Sequence, residues 1–524
     1  MSRYLLEKLS LDEKIGQLFV VGFDGLEIND HVLELVNDYK VGNFILFSRN
    51  IDHPKQLFDL NKSLHKLVKN HIGVVPFISV DQEGGMVTRI KTHLTYYPGA
   101  MTLCATGDSM NAFLIGRSMG DDLARMGFNL NLAPVLDVNI NPNNPVIGVR
   151  SYSDQPELVS EFGLQFIKGL QKSVIATGKH FPGHGDTFID SHLSLPTIHV
   201  SQERFKAVEL KPFVDAIRGG IKAIMSSHVD FPGITENHLP STLSKNVLTN
   251  LLRNELHFEG LILTDCMEMK AIQNQYSTKE ASLMSILAGA NQVGISHTLA
   301  LQIAAMKRVK EAVLSGELPI EVLDERVSRV LKFKNQMKEF DYTLEYESVS
   351  EFVDNDSKKE FSRNVVASAV TLVKGNPVVL KDKPLLIAFE PASTSIADES
   401  GAKADIVSAV RSLKLGIDAI PLSVNPQEEE MNVICQLISS YKQIIICEYN
   451  CNQYPSQTKL IEKALEKVED VHVFSMRNPY VLFQCNRVKN YVCFYEYTPN
   501  SLFALKEYLK GNLTPKGKVP VRYV

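Results

Sequence analysis

Short apolar runs alternate with amphipathic stretches along the first ~340 residues of the chain. Four strand-like runs come first: QLFVVGF (17–23), GNFILFS (42–48), PFISVDQ (76–82) and NLAPVLDV (131–138). Four more follow: SVIATGKHF (173–181), AIMSSHV (223–229), LILTDCM (261–267) and NQVGISH (291–297). Between them lie segments whose apolar residues recur at helical spacing, among them DHVLELVNDYK, NAFLIGRSMGDDLARMG, PELVSEFGLQFIKGLQ and ASLMSILAGA. Strands separated by helices must pair in parallel, so eight β-then-α units in this length predict an N-terminal (β/α)8 TIM barrel. A doubly wound open sheet is the alternative, but it would not ordinarily place polar residues at the C-terminal end of nearly every strand.

The pattern changes after residue 340. Residues 341–370 are acidic and polar and are expected to form a linker with a helix leading into a second unit. From 371 to 524, KPLLIAFE (383–390), KQIIICEYN (442–450), VHVFSM (471–476) and NYVCFYEY (490–497) alternate with the helical DIVSAVRSLKL and QTKLIEKALEKV. These predict a smaller α/β sandwich domain with a parallel sheet. A barrel over 1–340 and a sandwich over 371–524 also suit a chain of 524 residues, too long for one ordinary domain.

Composition narrows the function classes. A net charge of −5 without a long basic block argues against nucleic acid or an anionic membrane as partner. The N-terminal MSRYLLEKLSLDEKIGQLF has charges throughout and does not read as a signal peptide. No stretch approaches the ~18 apolar residues of a membrane span. The seven cysteines are scattered and odd in number, which fits free thiols in a reducing, cytoplasmic compartment. Trp is absent, so a sugar platform would have to be built from Tyr, Phe or aliphatic groups.

The informative residues are those that end the strands. Asp81, Glu83, Asp137, Lys179, His180, His228, Asp265 and His297 all fall at or just past the C-terminal end of an apolar run, the face where barrel active sites are built. Strands end at water, so one polar residue there is unremarkable; the convergence of so many is informative. KHFPGHGDTFIDSH (179–192) gathers Lys179, His180, His184, Asp186, Asp190 and His192 on a path kept irregular by Pro182, Gly183 and Gly185. Two chemistries could use it. Its histidines and aspartates could bind a metal, although they sit on a loop rather than at helical spacing. Alternatively, Asp190 could orient His192 as a proton shuttle working near neutral pH.

EGLILTDCMEMKAI (259–272) delivers Asp265 at a strand terminus, where a carboxylate could attack an anomeric carbon; an Asp there can also be a helix cap. Glu268 competes with it but lies further into the turn and is expected to point outward. In SVDQEGGMVTRI (79–90), Gly84 and Gly85 allow a tight turn that leaves Asp81 and Arg89 available to fix sugar hydroxyls. LAPVLDVNINPNNPVIGVRSYSD (132–154) is a long polar excursion that includes Arg150.

Taken in order, DQEGG…R, LAPVLDVN…IGVRSYS, KHFPGHGD…DSH and ILTDCMEMKAI resemble glycoside hydrolase family 3, and specifically its bacterial β-N-acetylglucosaminidase (β-hexosaminidase) branch. GNLTPKGKVPV (511–521) and RNPY (477–480) are similar to the sandwich domain of two-domain members. The resemblance implies Asp265 as nucleophile, His192 as acid/base and Asp190 as its partner. It implies Asp81, Arg89, Arg150, Lys179 and His180 as residues binding the terminal sugar, with no metal and no cofactor. The expected partner is a small saccharide, an N-acetylglucosaminide from peptidoglycan turnover or a chitin-like chain. Cys266 departs from the branch, which often has another small or acidic residue after the nucleophile. Three alternatives remain: a phosphorylase on the same scaffold, a metal-dependent barrel hydrolase, and a catalytically silent carbohydrate-binding protein.

Overall fold

The computed structural model describes residues 5–91, 94–191, 193–391 and 405–522. Its first part is a closed barrel of eight parallel strands in chain order. They are β1 (Phe19–Val21), β2 (Asn43–Leu46), β3 (Phe77–Val80), β4 (Leu130–Asn131), β5 (Ile175–Phe181), β6 (Ala223–Ser226), β7 (Leu261–Cys266) and β8 (Gln292–Ile295). Each lies within its predicted run or starts one residue before it. The fourth run is the one that shortens: Pro134 carries no N–H to extend the ladder, and only an isolated bridge between Val135 and Lys179 follows.

Local signals set the intervening helices. Leu11–Gln17 opens on a capping box in which Ser10 and Glu13 satisfy each other's backbone N–H. Pro54–Ile72 starts with proline and stops at Gly73, whose φ of 81° suits glycine. Inside the barrel, Val20, Ile45, Phe77, Leu130, Ile175 and Leu261 pack together, and Val330 and Phe333 of the helix Ile320–Gln336 join the same cluster. The barrel is thus a filled core beneath its C-terminal face rather than a tube.

Residues 341–370 contain two helices, Tyr346–Val353 and Asp356–Ala369. Beyond them, β9 (Thr371–Lys374), β10 (Leu385–Phe389), β11 (Asp418–Leu422), β12 (Gln443–Glu448), β13 (Asp470–Ser475) and β14 (Asn490–Cys493) form one sheet in the order β11-β10-β12-β13-β14-β9. Five strands run parallel, and β9 is antiparallel to β14. The edge strands β9 and β11 escaped the sequence reading: β9 is four residues directly after a helix, and β11 carries a proline, tolerated only at an edge.

The two units are joined by buried and part-buried polar contacts. Glu496 accepts from Gly99 N at 2.9 Å and from Thr102 Oγ1 at 2.7 Å. Asn478 Oδ1 accepts from Val149 N at 3.1 Å, Asn139 Nδ2 donates to Tyr480 Oη at 2.7 Å, and Asn452 Nδ2 donates to Pro142 O at 2.7 Å. The last three all grip the long excursion that follows β4.

Candidate active site

Two strands lose register where the candidate site residues lie. Between β5 and β6, Gly178 pairs with Ile224 and Phe181 with Ser226, so Lys179 and His180 fall within a bulge. Between β7 and β8, Leu263 pairs with Gln292 and Cys266 with Gly294, so the same irregularity brackets Asp265. An extra residue in a strand re-aims its side chains, and both bulges turn theirs toward the C-terminal mouth. A cavity of about 490 Å³ opens there. Asp81, Arg89, Arg150, Lys179, His180 and Asp265 all line it. Asp190 is buried and is not among the lining residues. His192 lies outside the described residues.

The polar wall centres on Glu83, which did not figure among the expected sugar-binding residues. Arg150 grips it twice, Nε to Oε2 at 2.9 Å and Nη2 to Oε1 at 2.7 Å, and Lys179 Nζ lies 2.7 Å from Oε1. Lys179 Nζ also donates to Asp81 Oδ1 at 2.7 Å, while Arg89 Nη2 stands 3.9 Å from Asp81 Oδ2. Burial alone would raise the Glu83 pKa, but the charges of Arg150 and Lys179 hold it well below the usual carboxylate range. Burial likewise opposes the Lys179 charge, and Asp81 with Glu83 outweighs it to raise that pKa. The result is a fixed lattice of donors and acceptors suited to sugar hydroxyls. The signal in the sequence was the DQEGG spacing, which sets Asp81 and Glu83 two residues apart.

A second buried carboxylate, Asp137, organises the loop after β5. It accepts from His180 Nδ1 at 2.7 Å and from His184 N at 2.7 Å. Burial would raise its pKa, yet the neighbouring histidines bring it below the ordinary value. With Nδ1 engaged by Asp137, the remaining polar atom of His180 is Nε2. His184 is set by Ser191 Oγ at 3.0 Å from its Nε2 and by Thr187 Oγ1 at 3.0 Å from its Nδ1. Burial and the charge of His180 depress its pKa to about 4, so it is neutral at working pH. Asn141 and Asn144, from the excursion after β4, donate to the carbonyls of Thr187 and His184 at 2.9 Å each. Gly185 lets the two loops touch, since a Cβ there would stand 1.7 Å from Val138 O. Ser191 O accepts from Ala271 N at 3.1 Å, which ties this loop to the segment after Asp265.

Asp265 is half-buried, and its Oδ1 accepts from Cys266 N at 2.7 Å. His228 Nε2 and Cys266 O lie 3.0 Å apart. Glu268 does not point away from the mouth. It lines the cavity, and its oxygens accept from His297 N at 2.6 Å and Thr298 N at 3.0 Å. The metal reading of the 179–192 loop is not supported by its described histidines, since His180 is turned to Asp137 and His184 to Ser191 and Thr187. Among the described residues, the donors close enough to share an ion are Cys266, Glu268 and His297. No helix among them is long and apolar enough to cross a membrane.

The sequence and the fold have counterparts among known proteins. Residues 10–333 match the description "Glycosyl hydrolase family 3 N terminal domain". The chain is 30% identical over 380 residues to "Beta-hexosaminidase A" of Pseudoalteromonas piscicida, covering 68% of this chain and 63% of that protein. It therefore spans somewhat under two thirds of that relative's length. It is 35% identical over 260 residues to "Beta-hexosaminidase" of Nitrosomonas eutropha, covering 48% of this chain and 73% of that one. The solved glycoside hydrolase family 3 beta-N-acetylglucosaminidase of Paenibacillus sp. str. FPU-7 superposes with a TM-score of 0.90 at 36% identity, over 98% of this chain and 99% of that one. With the barrel, the sandwich and the family match in agreement, the chain belongs to glycosyl hydrolase family 3.

Proposed function

We propose that the chain is a retaining exo-β-N-acetylglucosaminidase, acting on terminal β-linked N-acetylglucosamine of peptidoglycan-derived or chitin-like saccharides. The observation that carries this reading is the shared cavity, where Asp265 and the Asp81–Lys179–Glu83–Arg150 lattice line the same blind mouth. The names of its relatives, beta-hexosaminidases and a beta-N-acetylglucosaminidase, point the same way. The seven cysteines, all unpaired, favour a cytoplasmic setting.

In this mechanism the sugar is held by Asp81, Arg89, Arg150, Lys179 and His180. Asp265 attacks the anomeric carbon while protonated His192 gives its proton to the leaving oxygen, and a glycosyl–Asp265 ester forms. Neutral His192 then takes a proton from water, the water attacks the same carbon, the ester breaks, and the β configuration is retained. Asp190 orients the imidazole and stabilises its charged form. The deciding experiment is turnover of aryl β-N-acetylglucosaminide beside aryl β-glucoside, with and without inorganic phosphate. The N-acetyl substrate is expected to be faster by roughly 10²-fold, since a site that pairs a buried amide loses heavily when the amide is missing. Equal rates would move the chain to glucosidase chemistry, and dependence on phosphate would make it a phosphorylase.

A further inference from the structure

The cavity mouth holds a second group of donors that the glycosidase reading does not use. Cys266, Glu268 and His297 bring a thiol sulfur, a carboxylate oxygen and an imidazole nitrogen within 4.8 Å of one another. Cys266 Sγ already stands 3.9 Å from Glu268 Oε2. The three come from the ends of two neighbouring strands, and the backbone fixes them there. Glu268 clasps the start of the segment after β8 through His297 N and Thr298 N, and the His297 ring stacks on Phe47 with centroids 5.5 Å apart. All three line the cavity that Asp265 lines.

We infer that Cys266, Glu268 and His297 form a binding site for a borderline divalent cation of the zinc class, and that its occupation closes the saccharide site. One sulfur, one nitrogen and one oxygen donor are the mixture such ions accept. Zinc bonds of about 2.0–2.3 Å place tetrahedral ligands roughly 3.3–3.8 Å apart. The Cys266–Glu268 pair is near that spacing, and rotation of the exposed His297 brings in the third donor. Burial and Glu268 keep the Cys266 thiol protonated in the free chain, so binding the ion releases that proton to solvent, and the resulting thiolate with the Glu268 carboxylate balances the charge of a dication. The nearby cation Arg49 is engaged with Asp24 at 2.6 Å and donates to Ser296 O at 2.6 Å. Asp265 is the neighbouring residue and lines the same cavity, so a cation on the Cys266 thiolate acts on its carboxylate through charge and draws its negative charge. Cys266, where related enzymes were expected to carry another residue, supplies the soft donor.

The binding half of this inference is independent of the reaction; the inhibitory half rests on the role proposed for Asp265. The test is a cobalt(II) chloride titration of the EDTA-treated full-length chain. One equivalent is expected to produce the near-ultraviolet thiolate-to-cobalt charge-transfer band, and zinc chloride should displace it. The band should vanish in Cys266→Ser, survive in Cys435→Ser (the other half-buried cysteine), and form at least tenfold more weakly in His297→Gln. Zinc should inhibit aryl N-acetylglucosaminide hydrolysis, EDTA should reverse this, and Cys266→Ser should be resistant. Absence of the band, or equal zinc affinity in Cys266→Ser and wild type, overturns the site. A full band without loss of turnover overturns the inhibition. A chain inactive on every glycoside would sink the functional reading, while the titration would still decide the cation site.

Discussion

At Asp265, replacing one oxygen by NH₂ in Asp265→Asn removes the ester-forming nucleophile but leaves an acceptor for Cys266 N. The variant should fold, keep its thermal transition and lose glycoside cleavage; near-normal turnover would remove Asp265 from the nucleophile role. His192→Ala separates the two chemical steps. Aryl leaving groups depart with little protonation, whereas natural sugars should slow by about 10²–10⁴-fold. Azide needs no deprotonation and should rescue the release of the accumulated ester. If good and poor leaving groups slow equally and azide does nothing, the acid/base assignment fails. The residues that carry these predictions were legible in the sequence because each ends an apolar run or sits in a loop too polar to be core. Glu83 and Asp137 stood in the same strand-end set, but their part as hubs was not visible. It depends on what faces them across the barrel, Arg150 and Lys179 for one and His180 with His184 for the other.

Among the elements, periodicity located all eight barrel strands but not the two bulges. A bulge is a property of pairing between strands, and the sequence of one strand does not contain it. The edge strands of the second sheet were lost for a related reason: they are short and half-buried, so their apolar signal is weak. Within that sheet, β12 ends in Glu448, a fully buried carboxylate whose pKa burial raises to about 7. Its folded pKa lies above its unfolded value, so its contribution is fully present below ordinary carboxylate titration and is lost as pH rises toward 7. Glu448→Gln should therefore change little at pH ~4, where both states are neutral, and stabilise the chain at pH ~8 by on the order of 2 kcal/mol. Thermal unfolding at the two pH values measures this. An equal effect at both would mean that folding does not shift the Glu448 pKa.

For the whole molecule, the two-unit plan was readable from the break in pattern after residue 340. The use of the second unit was not, because its contacts are scattered single residues. Tyr480 and Asn478 hold the excursion after β4, and that excursion holds both Arg150 and the loop bearing Asp190 and His192. Tyr480→Phe keeps the buried ring and deletes only the hydroxyl that Asn139 reaches. It should lower kcat/KM on N-acetylglucosaminides about tenfold, equal to about 1.4 kcal/mol, with a smaller effect on stability. Unchanged kcat/KM would confine the second unit to a passive role.

The filled barrel beneath the cavity has one more consequence. Val20, Ile45, Leu132, Met225 and Leu263 belong both to the cavity wall and to the cluster joined by Val330 and Phe333, so among the described residues the pocket has a closed, apolar floor on the barrel side. A closed floor gives traffic an order. On the proposed retaining mechanism the terminal sugar goes in first, with the rest of its chain trailing outside, and it comes out last. The trailing portion departs before water can reach the bond at the bottom. Free N-acetylglucosamine should then be a competitive product inhibitor, while the departing portion alone should compete only weakly. The enzyme would shorten a chain one residue per visit, releasing it each time.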